Sequence, residues 1–498
     1  MSPTPSPPHV LLKNRFLSFL IWQSIPSFLI FLFFFSTLPN PPLWSFLPFL
    51  SFLLLFSITL SLIASPYPLL PSTDFRRRLN LYFNFSLFVA ASAASGFSAA
   101  VSLCGVSSVG RVGLRGFLVG SLFGLHYIFK RRWVLEFPII QRPPFFSFKM
   151  GIPAAAKRAL KLSTVAFFFS AVLLEILPHP FKCSVATRAF FVEQIVFSFA
   201  SFAVFLCWEV THHLHRVLHT KRSIFAPPKG SAAAETNPSE HLLSALEESN
   251  PTSLLRYLAY LDLCMVCENN VDTWRRAAFF EETGETYKRV IAVCLRPLEH
   301  LASRLGEGLG NSPDKPAQLS NQLLSPTDAR LDLKNGEELY NFQLHACCSR
   351  IVASLTACSR KEDKFGVAQL SGSNAAVVST LISCLLAVEN FMGKKTNLQS
   401  PNQLLGPAGI KWATANSGRV DVPAVKRRTG PVNPKAYAIA DVLRTSIYQI
   451  VSAFHDEMLA GSKASLLEKD WITSGKPLFG THEMLIQKLR LFLDFRAT

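Results

Sequence analysis

Acidic residues are scarce in the first half of this chain. Through Arg222 only 5 Asp and Glu stand against 20 Lys and Arg, whereas the remainder carries 28 against 30. A basic excess confined to one half, with its charges punctuating long apolar runs instead of clustering on a polar face with interleaved aromatics, argues against nucleic acid as a partner. Beyond Arg222 sustained alternation of apolar and polar residues is also missing, so that half should be all-helical. None of the patterns GxxxxGK[ST], GxGxxG, GxSxG or HExxH occurs, so the common phosphate cradles, nucleophile elbow and zinc-protease helix are absent. The ten cysteines are scattered, and a disulfide framework is not expected; reduced thiols are the default. Cys264-Met265-Val266-Cys267 has no second pair at zinc-site spacing and reads as core, as does Cys347-Cys348.

What is abundant is apolar surface: 49% hydrophobic residues, with 43 Phe. Six segments approach or exceed the ~20 helical residues that a hydrocarbon core requires: 16–38, 43–64, 81–104, 112–129, 162–178 and 189–210. The first two are joined by Pro39-Asn40-Pro41-Pro42 and form a hairpin. The first is too long for a secretory signal and ends in prolines, so it is read as retained. The fifth is short and carries Glu175. Loop Lys and Arg divide 16 to 3 between the two sides, which predicts cytosolic termini and very small lumenal loops. The sequon Asn84-Phe85-Ser86 falls inside the third segment and is expected to be silent. Arg115, Glu175 and Glu193 map near lumenal helix ends, where pairing or snorkelling accounts for them.

Gly116, Gly120 and Gly124 recur at spacing four on the fourth segment, and the third carries a small-residue run from Ala90 to Ala100. Such spacing lets two helix backbones approach closely and is read as packing. After the sixth segment comes THHLHRVLHTKR, residues 211–222. His212, His215 and His219 share a helical face, so a metal triad is sterically possible, yet the other histidines are isolated and no second box accompanies them. The expectation is that no metal or other cofactor is bound. Arg131, Arg132, Trp133, Trp208, Arg216, Lys221 and Arg222 read instead as membrane-interface anchors.

Beyond Arg222 the composition changes. Ala226 to Pro238 reads as a linker, and helical periodicity recurs in Leu254, Leu255, Leu258, Leu261 and Met265 and again from Ile439 to Met458. Asn-Pro pairs at 237, 250 and 433 offer helix starts. A second helical block is expected over 336–391 and a last helix over 481–495, whose Met484, Leu485, Leu489 and Phe492 suit a partner groove or a membrane surface. Asp262, Glu268, Asp272, Glu281, Glu282 and Glu285, alternating with Trp274, Arg275 and Arg276, read as a solvated face. Stretches near 311–330 and 394–434 are expected to be mobile, and Lys426-Arg427-Arg428 to be a solvated loop. The resulting fold class is all-α: a polytopic membrane protein with a tail at 1–15, six transmembrane helices over 16–210, a juxtamembrane segment at 211–240 and a cytosol-facing helical domain at 241–498.

Residues 242–301, LLSALEESNPTSLLRYLAYLDLCMVCENNVDTWRRAAFFEETGETYKRVIAVCLRPLEHL, resemble the start of the soluble half of the nuclear division cycle family of transmembrane nucleoporins. The resemblance implies a non-enzymatic anchor of the nuclear pore complex, in the curved membrane where the two nuclear envelopes join. It also implies partners: the WD-repeat nucleoporin Aladin and membrane-binding nucleoporins with an RNA-recognition-like fold. Two other readings compete, a membrane di-iron oxidase built on the His cluster and a small-solute transporter built on the six spans.

Overall fold

Each of the six apolar runs falls wholly or mostly on a helix, and four of those helices continue well past the run at one end. The computed structural model describes residues 8–37, 46–66, 75–104, 109–138, 141–176, 188–228, 230–247, 253–269, 272–310, 339–397, 433–460 and 470–494. Among them there is no strand, only an isolated bridge between Ser65 and Val134. The linking prolines at 39–42, the Asn250-Pro251 pair, residues 311–330 and 398–432, and the Lys426–Arg428 triplet lie outside the described residues. The chain divides into two compact units, one of residues 1–224 with 248–258, the other of residues 225–247 with 259–498.

The first unit is built from α1 (Pro8–Thr37), α2 (Phe46–Ile63), α3 (Phe75–Cys104), α4 (Val109–Phe129), α5 (Pro144–Ile176) and α6 (Arg188–His219). Helices α1, α3, α5 and α6 have 30, 30, 33 and 32 residues, or about 45–50 Å at 1.5 Å per residue. They outrun the ~30 Å hydrocarbon core because an apolar window marks only the lipid-immersed part. The backbone ladder continues into the interface wherever no Pro or Gly stops it.

Pairwise contacts fix the order of passes. The start of α1 reaches the end of α6, with Arg15 donating to the carbonyls of His219 (2.9 Å) and Lys221 (2.6 Å). At the opposite end Phe28 and Phe31 meet Phe46 of α2. Ser65, just past α2, returns to the first end and pairs with Trp133 and Leu135 beyond α4. Helix α5 runs antiparallel to α6, with the Ser147 and Phe148 carbonyls near His213, Arg158 near Glu209 and Phe167 near Phe197. Six passes bring the chain back to the end where it started.

Among the described residues six helices are long and apolar enough to cross a membrane, and five of them are α1, α2, α3, α4 and α6. The sixth by length and composition, Ser373–Gly393, belongs to the second unit. It is a core helix there, with Val377, Leu381, Ile382, Leu385 and Val388 all buried and Glu389 ion-paired on its rim to Arg444 and Lys488. Helix α5 carries Lys157, Arg158 and Lys161 in its middle, and its uninterrupted apolar part begins at Leu162.

The second unit is helical. It contains α7 (Ala232–Thr236), α8 (Glu240–Leu246), the end of α9 (Leu254–Glu268), α10 (Thr273–Ala277), α11 (Glu285–Gly310), α12 (Phe342–Glu362), α13 (Val367–Leu370), α14 (Ser373–Asn397), α15 (Asn433–Ala453), α16 (His455–Ala460) and α17 (His482–Asp494). The expected block over 336–391 is three helices, because Gly366 and Gly372 adopt positive φ and break it. Ser239, not Asn237, precedes α8 as its N-cap, while α15 does begin at Asn433.

Two expectations need correction here. The supposed solvated face is partly interior: Asp262 and Arg275 are buried and paired at 2.7 Å, and both hold the backbone of Phe225. Arg276 is buried and paired with Glu362. Charge alternation in sequence cannot distinguish a solvated helix from two short helices that fold their ions inward. Helix α17 buries Leu485, Leu489 and Leu493 within its own unit, so of the expected face only Met484 stands exposed.

Candidate functional site

Aromatic rings fill the interior of the bundle. Phe123 stacks on Trp208 at 4.7 Å, and Phe56 and Phe205 lie at 5.8 and 5.3 Å from the same indole. Lipid chains are as apolar as these rings, so the contacts stabilise by close packing rather than by escape from water. Trp208 was expected at the interface, but it is fully buried and donates Nε1–H to Ser95 at 3.2 Å. Trp133 is likewise buried, against Phe85. A tryptophan beside a basic run fits a rim or a core equally well until its neighbours are known.

Glycines set the α3–α4 approach. A Cβ on Gly120 would lie 2.8 Å from the Ser92 carbonyl carbon and 2.9 Å from the Ala93 Cα; one on Gly116 would lie 2.6 Å from the Ala100 Cβ. Gly124 is less tight, 3.1 Å from the Val89 Cα. Gly96 on α3 mirrors Gly116, so each helix gives up a side chain where the other's backbone passes. On α5, Gly151 leaves room for the His213 ring.

Beyond the aromatic layer lies a polar cluster at the end shared by the start of α1 and the end of α6. The Glu209 carboxylate is wholly buried and takes both arms of Arg132, at 2.5 and 2.7 Å, with Arg158 at 3.6 Å. Tyr127 donates its hydroxyl proton to the Arg132 carbonyl at 3.1 Å and meets His212 Nδ1 at 2.9 Å. One hydroxyl proton serves one acceptor, so His212 donates Nδ1–H in return. Deeper still, the Gln23 carbonyl accepts from Ser57 and Thr211. Glu136 pairs with Arg216 at the surface.

The histidines are taken up by this packing. His213 lies over Phe148 and donates toward two α5 carbonyls. His219 donates Nδ1–H to the His215 carbonyl, and the two rings stack at 4.0 Å with Phe19 edge-on to both. Stacked rings hold their nitrogen lone pairs in parallel planes, whereas a metal triad needs them to converge. Among the described residues no group of three or more His, Cys, Asp or Glu side chains is placed to hold a metal ion.

Of the other expected anchors, Arg131 is exposed at φ +51°, Lys221 is exposed and Arg222 donates its backbone N–H to Gln141. Arg111 pairs with Glu193 at the far end, and Arg115 lies 3.9 Å over the Phe197 ring while donating to Gln194. Glu209, Tyr127, Arg158 and the capping role of Arg15 were not foreseen. Glu209 had a signal: a carboxylate within an apolar run costs several kcal/mol unless paired, so a partner was required.

This architecture has a counterpart among known families. The family model for the nucleoporin protein Ndc1-Nup matches residues 112–341 and 337–459. No curated protein matches the chain.

Proposed function

Because the chain belongs to the nucleoporin Ndc1-Nup family, we propose that it anchors the nuclear pore complex in the envelope membrane, holding scaffold nucleoporins there and supporting pore assembly. The family places a nucleoporin at the nuclear envelope, and the apolar helices make it a membrane protein. The observation carrying the finer reading is the extent of the match, from Val112 within the bundle to Leu459 in the second unit. Anchoring requires a rigid membrane bundle joined to a platform, and the match takes in parts of both. The role is structural rather than catalytic, in keeping with the nucleoporin family.

The partners are the bilayer, with Arg131 and Lys221 at its headgroups, and other nucleoporins. By resemblance these include an Aladin-type WD-repeat protein and membrane-binding scaffold nucleoporins; nucleic acid is not among them. Proximity labelling from a tag on the full chain should enrich pore-scaffold proteins over general reticulum proteins, and the absence of any nucleoporin among the labelled neighbours would overturn the reading.

Both termini face the cytosolic or pore side. The 16 to 3 bias of loop charges supports this, as does the meeting of Arg15 with the end of α6. Tags at residues 1 and 498 should both be digested by protease added to sealed microsomes. A protected C-terminal tag would mean an odd number of passes, with α5 the first suspect.

A further inference from the structure

At the end of the bundle shared by the start of α1 and the end of α6, helix α5 presents cations deeper than α1 and α4 do. Arg15 of α1 donates to the His219 carbonyl, and Lys130 of α4 comes three residues after Tyr127, which meets His212. On α5, Arg158 reaches Glu209, ten residues before His219 on α6 and so about 15 Å further in at 1.5 Å per residue. Lys157 and Lys161 flank it, both exposed. Exposed apolar side chains lie on either side of them along the helix: Phe145, Phe146 and Met150 toward the end, Val165, Phe168 and Val172 toward the middle. Lys157, Lys161, Val165, Phe168 and Val172 follow at steps of three or four residues, so they form one stripe. The stripe that meets acyl chains therefore also carries two ammonium groups.

A charge on a lipid-facing surface is costly unless a counter-charge meets it. The protein supplies none: Glu209 is wholly buried and takes both arms of Arg132, and among the described residues no carboxylate pairs with Lys157 or Lys161. Snorkelling moves an ammonium by the length of one lysine stem, about 6 Å, far less than the offset from His219. We propose that Lys157 and Lys161 hold the phosphate of an anionic glycerophospholipid, drawing its headgroup into the flank of α5 below the level of the surrounding leaflet.

Charge and spacing select this occupant. The two lysines stand four residues apart, about 6 Å along the helix, so both ammonium groups can meet one phosphate from the same side. Acyl chains of the same lipid then lie along Val165, Phe168 and Val172. Glu175 is the sole acid in the sequence of α5, so nothing beside the lysines repels an anion. A zwitterionic lipid brings its own cation and gains less, whereas the cytosolic leaflet is rich in anionic headgroups. The site needs only that the bundle lie in a bilayer, as the proposed anchoring also does, and is independent of what the second unit binds.

The test uses the full chain in detergent micelles, loaded with equimolar phosphatidylserine and phosphatidylcholine of matched chains and read by native mass spectrometry. Phosphatidylserine adducts should survive collisional activation that strips phosphatidylcholine. Lys157→Gln with Lys161→Gln should lower phosphatidylserine retention several-fold and leave phosphatidylcholine unchanged; both lysines are exposed, so the bundle keeps its fold. Lys130→Gln with Lys221→Gln removes the same charge elsewhere and should retain the lipid. Unchanged retention in the first variant, equal loss in both variants, or an acidic protein held at these lysines in place of lipid would overturn the proposal.

Discussion

Replacing Gly120 with leucine should break the bundle at its tightest crossing and abolish the monodisperse peak of the detergent-solubilised protein. The new Cβ would meet the Ser92 carbonyl carbon at 2.8 Å and the Ala93 Cα at 2.9 Å. These are backbone atoms, which have no rotamer to escape into, so α3 and α4 must move apart along their length. Overpacking that side chains can absorb costs about 1–3 kcal/mol, and a backbone collision should reach or exceed the top of that range. Gly110, on the same helix, is the control. A Cβ there meets nothing within 4 Å, and leucine gains helix propensity of up to about 1 kcal/mol over glycine. Gly110→Leu should therefore keep the peak and its melting temperature. Equal tolerance at the two sites would contradict the close-approach account.

The second large effect concerns Glu209. Glu209→Leu would leave Arg132, whose side chain is 14% exposed, without its partner. Breaking a buried ion pair from one side costs about 3–5 kcal/mol, whereas replacing both partners by apolar residues is often close to neutral. The single variant should lose most of its thermal stability in detergent, and Glu209→Leu combined with Arg132→Met should recover most of it. Arg158, 46% exposed, reaches water when its partner is gone and needs no compensation. If the double variant were as unstable as the single, the cluster would be doing something other than balancing charge.

Much of the first unit was legible because hydrophobic length is a strong signal: each apolar run falls wholly or mostly on a helix. What the runs hide is where a helix stops. Helix α6 continues through THHLHRVLH to His219 because no Pro or Gly interrupts it, and Arg15 satisfies carbonyls at its end. The glycine spacing on α4 was legible because only a missing side chain permits such an approach, although Gly96 of α3 contributes equally to it and Gly113 makes room for the Phe97 ring. The polar cluster was not legible. Arg132 lies 77 positions from Glu209 and Tyr127 lies 85 from His212, and sequence shows that a buried carboxylate needs a partner without showing which. Trp208 failed for a related reason: an indole beside basic residues suits a headgroup layer, but Phe123, Phe56 and Ser95 make it core. In the second unit periodicity found the apolar faces, but Asp262 and Arg275 turned inward because they satisfy each other and the Phe225 backbone.

The measurement closest to the central claim is where the full chain sits in the nuclear envelope, recorded by immunogold electron microscopy against pores in the same section. The account predicts gold concentrated at pore margins, where the inner and outer membranes join, and punctate staining of the nuclear rim by light. Gold spread evenly over the envelope and peripheral reticulum, with no enrichment at pores, would contradict it.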